Sequence, residues 1–167
     1  MKTILIIDEV GQASIYNPVS YSDFIDLDDP VRLLLITNAA SEKDKKLCPK
    51  VIEIPHPTSN GILELIAFDL HKEFQIDEIY TKQEDLILRA SYLRKAFGIH
   101  IGLQPGEALL FRDKAAMKSH LTRNGIKAPA FDRVFSPANI ISFIERHHYP
   151  IIIKPTLGSA SACITVI

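Results

Sequence analysis

The sequence is short of cysteine, of long apolar runs and of net charge, and each shortage narrows what it can be. Only Cys48 and Cys163 carry thiols in 167 residues, with no CxxC and no Cys/His set at zinc spacing. That excludes a disulfide scaffold and a zinc module and leaves two reduced thiols. No apolar run approaches the ~18 residues of a membrane span. The ILII that follows Met1-Lys2-Thr3 runs straight into Asp8-Glu9, too soon for the core of a secretory signal. The expected setting is cytoplasmic, away from any membrane. With 19 Lys+Arg against 20 Asp+Glu the net charge is −1, which offers no bulk attraction to nucleic acid. Repeats and low-complexity tracts are missing too. What remains, 47% hydrophobic and 23% charged, is a globular chain long enough for one domain or for a small domain plus part of another.

The charge is unevenly spread. Residues 1–110 hold 11 basic and 17 acidic side chains, whereas residues 111–167 hold 8 and 3. The carboxyl-terminal part therefore favours a polyanion, although a solvated basic face gives the same count.

Residues 3–7 (TILII), 31–37 (VRLLLIT), 51–54 (VIEI) and 76–81 (IDEIYT) are short apolar runs that read as strands, the first buried on both faces. Between the last two stands a helix opened by Thr58-Ser59-Asn60 and carrying Ile62, Leu65, Ile66, Leu70 and Phe74. A second helix over 84–97 places Leu86, Ala90, Leu93 and Phe97 on one stripe before Gly98 stops it. Tyr80, Tyr92 and the phenylalanines are expected in the core. The fold class is thus α/β with a parallel sheet, and Gly102, Pro105 and Gly106 predict a linker or domain edge near residue 105. Beyond it, Asp113 caps a helix that Asn124-Gly125 ends, and Ser136-Pro137 opens another with Ile141, Ile144 and His148 along one side.

Two places carry chemistry. IIIKPTLGSASACITV at 151–166 is a strand, a small-residue loop and a second strand. Ile152 and Lys154 share a strand face, a flat apolar contact followed by a charge, and the small side chains at Gly158, Ser159, Ala160 and Ser161 let backbone amides approach phosphate oxygens. An ordinary hairpin with a flexible loop fits the same residues. Lys114 opens a helix at the end where a cation is unfavourable and an anion welcome. Asp113 beside it offers a bland account, by neutralising it.

FRDKAAMKSHLTRNGIKAPAF followed by YPIIIKPTLGSASACITVI resembles the start of an ATP-grasp domain, and the α/β layer before it is similar to the pre-ATP-grasp (Rossmann-like) domain of such ligases. The carboxylate-amine ligases, including L-amino acid ligases, are the subgroup it looks most like. The resemblance implies a pre-ATP-grasp domain over 1–105 and a first, incomplete α+β ATP-grasp subdomain over 106–167. It implies that Lys114 and Lys154 contact ATP phosphates, that Ile152 packs on adenine, and that the loop with Gly158, Ser159 and Ser161 folds over the phosphates. ATP and a small carboxylate are then the partners. The family's magnesium ligands, adenine-hinge acid and acyl-phosphate arginine are expected beyond Ile167, so this chain, read as a truncated portion, carries no catalytic or metal residues of its own and is inactive alone. The alternative is a natural non-catalytic nucleotide-binding or interaction module, pairing CITVI with a second copy as a homodimer.

Other readings are weaker. Asp8-Glu9 is like the acidic pocket of a receiver domain, but VIEIPHP supplies no phosphoacceptor aspartate, and strand-end acids exposed to water are expected instead. Gly11 stands alone without GxGxxG, against a nicotinamide-binding fold. His147-His148 point to different sides of a helix with no completing ligand. Cys48 among lysines reads as a bystander.

Overall fold

The computed structural model describes residues 1–10, 21, 30–158 and 163–167, and these fall into two compact units, Met1–Pro105 and Gly106–Ile167. In the first, strands β1 (Lys2–Ile7), β2 (Val31–Thr37), β3 (Lys50–Glu53) and β4 (Glu78–Tyr80) form a parallel sheet in the order β3-β2-β1-β4. β1 lies inside the sheet, in register with β2 from Lys2↔Val31 to Ile7↔Ile36 and with β4 from Ile4↔Glu78. A parallel strand covered on both faces needs an unbroken apolar run, which Ile4–Ile7 and Leu33–Ile36 supply; all are almost fully buried. Alternation then divides them. Leu5, Ile7, Leu34 and Ile36 join one cluster, while Ile4, Ile6, Leu33 and Leu35 join another with Tyr21 and Cys48. Burial, and after it the Asp44 charge, pushes the Cys48 thiol up to about 12. The nearby lysines do not activate it.

α1 (Glu42–Leu47) connects β2 to β3. α2 (Ile62–Phe74) and α3 (Ile87–Phe97, after a short 3-10 turn at Glu84–Leu86) pack on the first cluster. On α2 the buried residues are Leu63, Ala67 and Leu70, whereas Ile62 and Leu65, expected in the core, are exposed. Both stripes have helical spacing; the one with small Ala67 in its middle is the one that lies against the sheet. Leu86, Ala90 and Leu93 are buried as their spacing predicts, and Gly98 closes α3 at φ 69°. Tyr92 is exposed and is no part of the core.

At the carboxyl ends of the strands, Asp8 corrects the expectation of a water-facing acid: it is fully buried. Its Oδ2 accepts from the Tyr21 hydroxyl at 2.8 Å and lies 3.0 Å from Lys82 Nζ. Burial, and then the Asp8 charge, holds the Tyr21 hydroxyl far above its ordinary range, so it stays a donor. Glu9 accepts from the Thr58 amide at 2.8 Å and faces His56. Burial pulls its pKa upward, but the Thr58 hydrogen bonds and the His56 charge outweigh that and hold it below the usual carboxylate value.

The two units divide at Pro105, where a linker or domain edge was expected. It is a helix that starts there, α4 (Pro105–Arg112), because proline at a first helical position starts a helix that it would break further in. Gly102, at φ +88°, lies against Arg94. The Arg94 guanidinium is buried and donates to the Ile79 carbonyl at 2.7 Å and the Leu103 carbonyl at 3.1 Å.

The second unit contains α5 (Lys114–Arg123), α6 (Pro137–His147) and an antiparallel pair, β5 (Ile152–Ile153) with β6 (Thr165–Val166). Gly125 follows α5 at φ 77°, the stop read from Asn124-Gly125. At the start of α6 the Ser136 amide donates to Asn139 Oδ1 at 3.0 Å. The Tyr149–Pro150 peptide is cis. Among the described residues no helix is long and apolar enough to cross a membrane.

Two stability predictions follow from the first unit. Lys82→Met leaves the Asp8 carboxylate buried without its cation and should cost about 3 kcal/mol in urea unfolding, with most of the loss recovered when Asp8→Asn is added. A double variant as unstable as Lys82→Met alone would show the ion pair is not the cause. Gly102→Ala places a methyl group 2.9 Å from Arg94 Nε at a positive φ, and should cost about 1–2 kcal/mol; an unchanged urea midpoint contradicts that clash.

Candidate functional site

The second unit is organised by the first residues of α5. Asp113 has extended backbone, and its Oδ1 accepts from the Ala115 and Ala116 amides, both at 2.9 Å. It thereby satisfies two donors that a helix start leaves over. Its Oδ2 accepts from Arg133 at 2.7 Å. Burial would raise this carboxyl, but the two amides and the Arg133 guanidinium hold it below its ordinary value. Asp113 is therefore committed to amides and Arg133. The bland account in which it neutralises Lys114 is not what the side chains do, and two helix-start amides are already used.

Three successive carbonyls are clasped from this corner. The Lys114 amide donates to Thr156 O at 3.0 Å, the buried Arg112 donates to Leu157 O at 2.9 Å, and Lys114 Nζ donates to Gly158 O. The clasp fixes the stem of the loop between β5 and β6. Gly158 is held close as well, since a Cβ there would lie 3.2 Å from Pro155 Cβ.

A cavity of about 820 Å³ opens beside the clasp, lined by Lys114, Lys118, Lys154, Ile152, Phe131 and Phe143 among others. Of the residues singled out in the sequence, Lys114, Ile152 and Lys154 thus come together. Ile151 is buried while Ile152 and Lys154 are exposed, the alternation a strand imposes. Gly158 is met through its carbonyl. Ser159 and Ser161 lie outside the described residues. α6 turns Ile140, Phe143 and His147 to the cavity. Of the side expected from Ile141, Ile144 and His148, His148 also lines the cavity, while Ile141 is exposed.

Lys118 is the residue the sequence reading passed over. It stands four positions after Lys114, one helical turn away on the same face. That spacing was the available signal. Burial, followed by the charge of Lys154, lowers the Lys118 pKa. The cavity's carboxylate, Asp132, is taken by Arg146. Among the described residues Lys114, Lys118 and Lys154 form no ion pair, and no group of three or more His, Cys, Asp or Glu side chains is placed to hold a metal ion. The lining suits an anion with an apolar portion.

No family model matches the chain. In sequence it is 33% identical over 106 residues to an L-arginine-specific L-amino acid ligase of Bacillus subtilis, a match covering 62% of this chain and 25% of that protein. Its structure resembles the L-amino acid ligase from Bacillus licheniformis, with a TM-score of 0.67 at 18% identity, over 100% of this chain and 39% of that one. The biotin carboxylase domain of 2-oxoglutarate carboxylase from Hydrogenobacter thermophilus, solved with MgADP, ADP and bicarbonate, gives 0.72 at 18%, over 99% and 37%. The fold is that of the amino-terminal part of ATP-grasp ligases. The chain spans about a quarter of the curated relative and about two fifths of these ATP-grasp structures. The likeness carries the fold class read from the sequence, an α/β layer with a parallel sheet.

Asp113 supplies a pH test. Its depressed folded-state pKa contributes stability that is present above the unfolded value near 3.9 and is lost as the pH falls below it. Asp113→Ala should cost about 1–2 kcal/mol at neutral pH, and the gap in thermal midpoint from wild type should narrow below about pH 4. A gap that stays constant from pH 6 to pH 3 would contradict this role.

Proposed function

We propose that the chain serves as the amino-terminal part of an ATP-dependent ligase that joins a carboxylate to an amine. In this reading residues 1–105 are its pre-ATP-grasp domain and residues 106–167 the first part of its nucleotide-binding domain. The observation that carries the reading is the meeting of Lys114 and Lys154, 40 positions apart, on one cavity beside exposed Ile152 and without carboxylate partners. A polyphosphate meets the two ammonium groups while a base lies on Ile152, and the Gly158 loop, with Ser159 and Ser161, covers the phosphates. The sequence likeness to the Bacillus subtilis ligase supports the reaction class.

The reaction so proposed has two steps. A carboxylate oxygen attacks the γ-phosphorus of ATP, the bond to the β,γ-bridging oxygen breaks, and ADP departs, leaving an acyl phosphate. An amine nitrogen then attacks the acyl carbon, inorganic phosphate leaves, and the nitrogen gives up a proton to form the amide. The chain's own contribution is electrostatic. Lys114 and Lys154 offset charge on the phosphates, and the half-buried cavity strengthens that attraction relative to water. The described residues do not fit a magnesium site, since Asp113 and Asp132 are each held by an arginine.

The test is titration of a fluorescent, non-hydrolysable ATP analogue at several salt concentrations. Wild type should bind weakly and less well as salt rises, and Lys154→Ala should bind about tenfold more weakly, as expected for a lost charge-assisted hydrogen bond. Equal, salt-insensitive binding by both proteins refutes the reading.

A further inference from the structure

We infer that Lys118 is a third phosphate-binding cation of this cavity, and that it favours a nucleoside triphosphate over a diphosphate. The inference rests on the nucleotide reading above. Lys114 and Lys118 extend from consecutive turns of α5 into the space that Lys154 enters from the end of β5. Lys118 Nζ stands 5.3 Å from the centroid of the Phe131 ring, which positions it without neutralising it.

The acids within reach are spoken for: Asp132 by Arg146 and Asp113 by Arg133. The other titratable groups lining the cavity are His147, His148 and Cys163, and none supplies a carboxylate. A lysine on a surface helix normally extends into water. This one is half-buried within the electrostatic reach of Lys154, whose charge adds to burial in disfavouring its protonated form. Like charges gathered in a partly desolvated space weaken the fold unless an anion is shared among them. A ligand with more phosphate charge gains more from the third cation, so the preference should grow from monophosphate to triphosphate.

The experiment measures binding of AMP, ADP and a non-hydrolysable ATP analogue to the full chain by calorimetry, in wild type, Lys118→Met and Lys118→Arg, together with each thermal midpoint without nucleotide. Lys118→Met should weaken the ATP analogue about tenfold, weaken ADP less and leave AMP unchanged. Lys118→Arg should restore most of the loss. Without nucleotide, Lys118→Met should melt at or above the wild-type temperature, because a like-charge conflict has been removed. A merely structural lysine predicts the reverse, a lower midpoint and equal losses for all three nucleotides, and that outcome overturns the inference. So does a Lys118→Met protein that binds every nucleotide as wild type does. Wild type that binds none of the three removes the nucleotide reading itself, a result distinguishable from either.

Discussion

A buried charge must find a partner, and in each unit the arrangement of the chain follows from how that demand is met. In the sheet unit, Asp8 emerges from an interior strand with no access to water. Tyr21 and Lys82 supply a hydroxyl and an ammonium, and Lys82 arrives from the far end of β4. The pairing of β4 beside β1 brings that cation to the acid. Arg94 meets the same demand differently, through the carbonyls of Ile79 and Leu103, and so joins the end of β4 to the segment that leads into α4. Polar atoms thus specify where elements meet, on a sheet whose burial supplies the bulk of the driving force.

In the second unit the same demand is met by arginines: Arg112 on the Leu157 carbonyl, Arg133 on Asp113, Arg146 on Asp132. Its cavity lysines are not matched in this way. Arginine suits fixed pairs because its planar fork gives up less freedom per bond, whereas lysine is a compact, mobile charge that reaches a ligand readily. Lys114 bridges the two groups, since it holds the Gly158 carbonyl of the loop stem and also lines the cavity.

How much of this was legible follows from range. β1, β2 and the ends of α3, α5 and α6 rest on signals within a few residues: unbroken apolar runs, Gly98, Gly125, Ser136-Pro137. The burial of Asp8 was not readable, because its cation is 74 positions away and an acid after a strand looks the same whether wet or dry. Pro105-Gly106 marked the division between the units but not the helix that starts there, because the same dipeptide breaks a helix from within and opens one at its first turn. On α2 two neighbouring stripes both have helical spacing, and only the packed partner decides between them. In the candidate site, Ile152 and Lys154 were visible through strand alternation, Lys114 through its place at a helix start, and all three through family resemblance. Lys118 had only its one-turn spacing, which countless solvated helices share.

Lys114 shows why position along a helix matters more than nearness in sequence. It follows an aspartate directly, and a neutral pair of neighbours would be the economical reading. Yet the residue before a helix and the first residue within it point in different directions, since one is extended and the other helical. Asp113 turns inward to the amides of its own helix and to Arg133, and its negative charge is consumed there. Lys114 turns outward to the Gly158 carbonyl, a neutral acceptor that holds the ammonium in place without cancelling its charge. The acid thus stabilises a helix whose first residue remains cationic. Under the proposed function, a phosphate entering the cavity would meet a positive charge already anchored, with less side-chain freedom left to lose on binding.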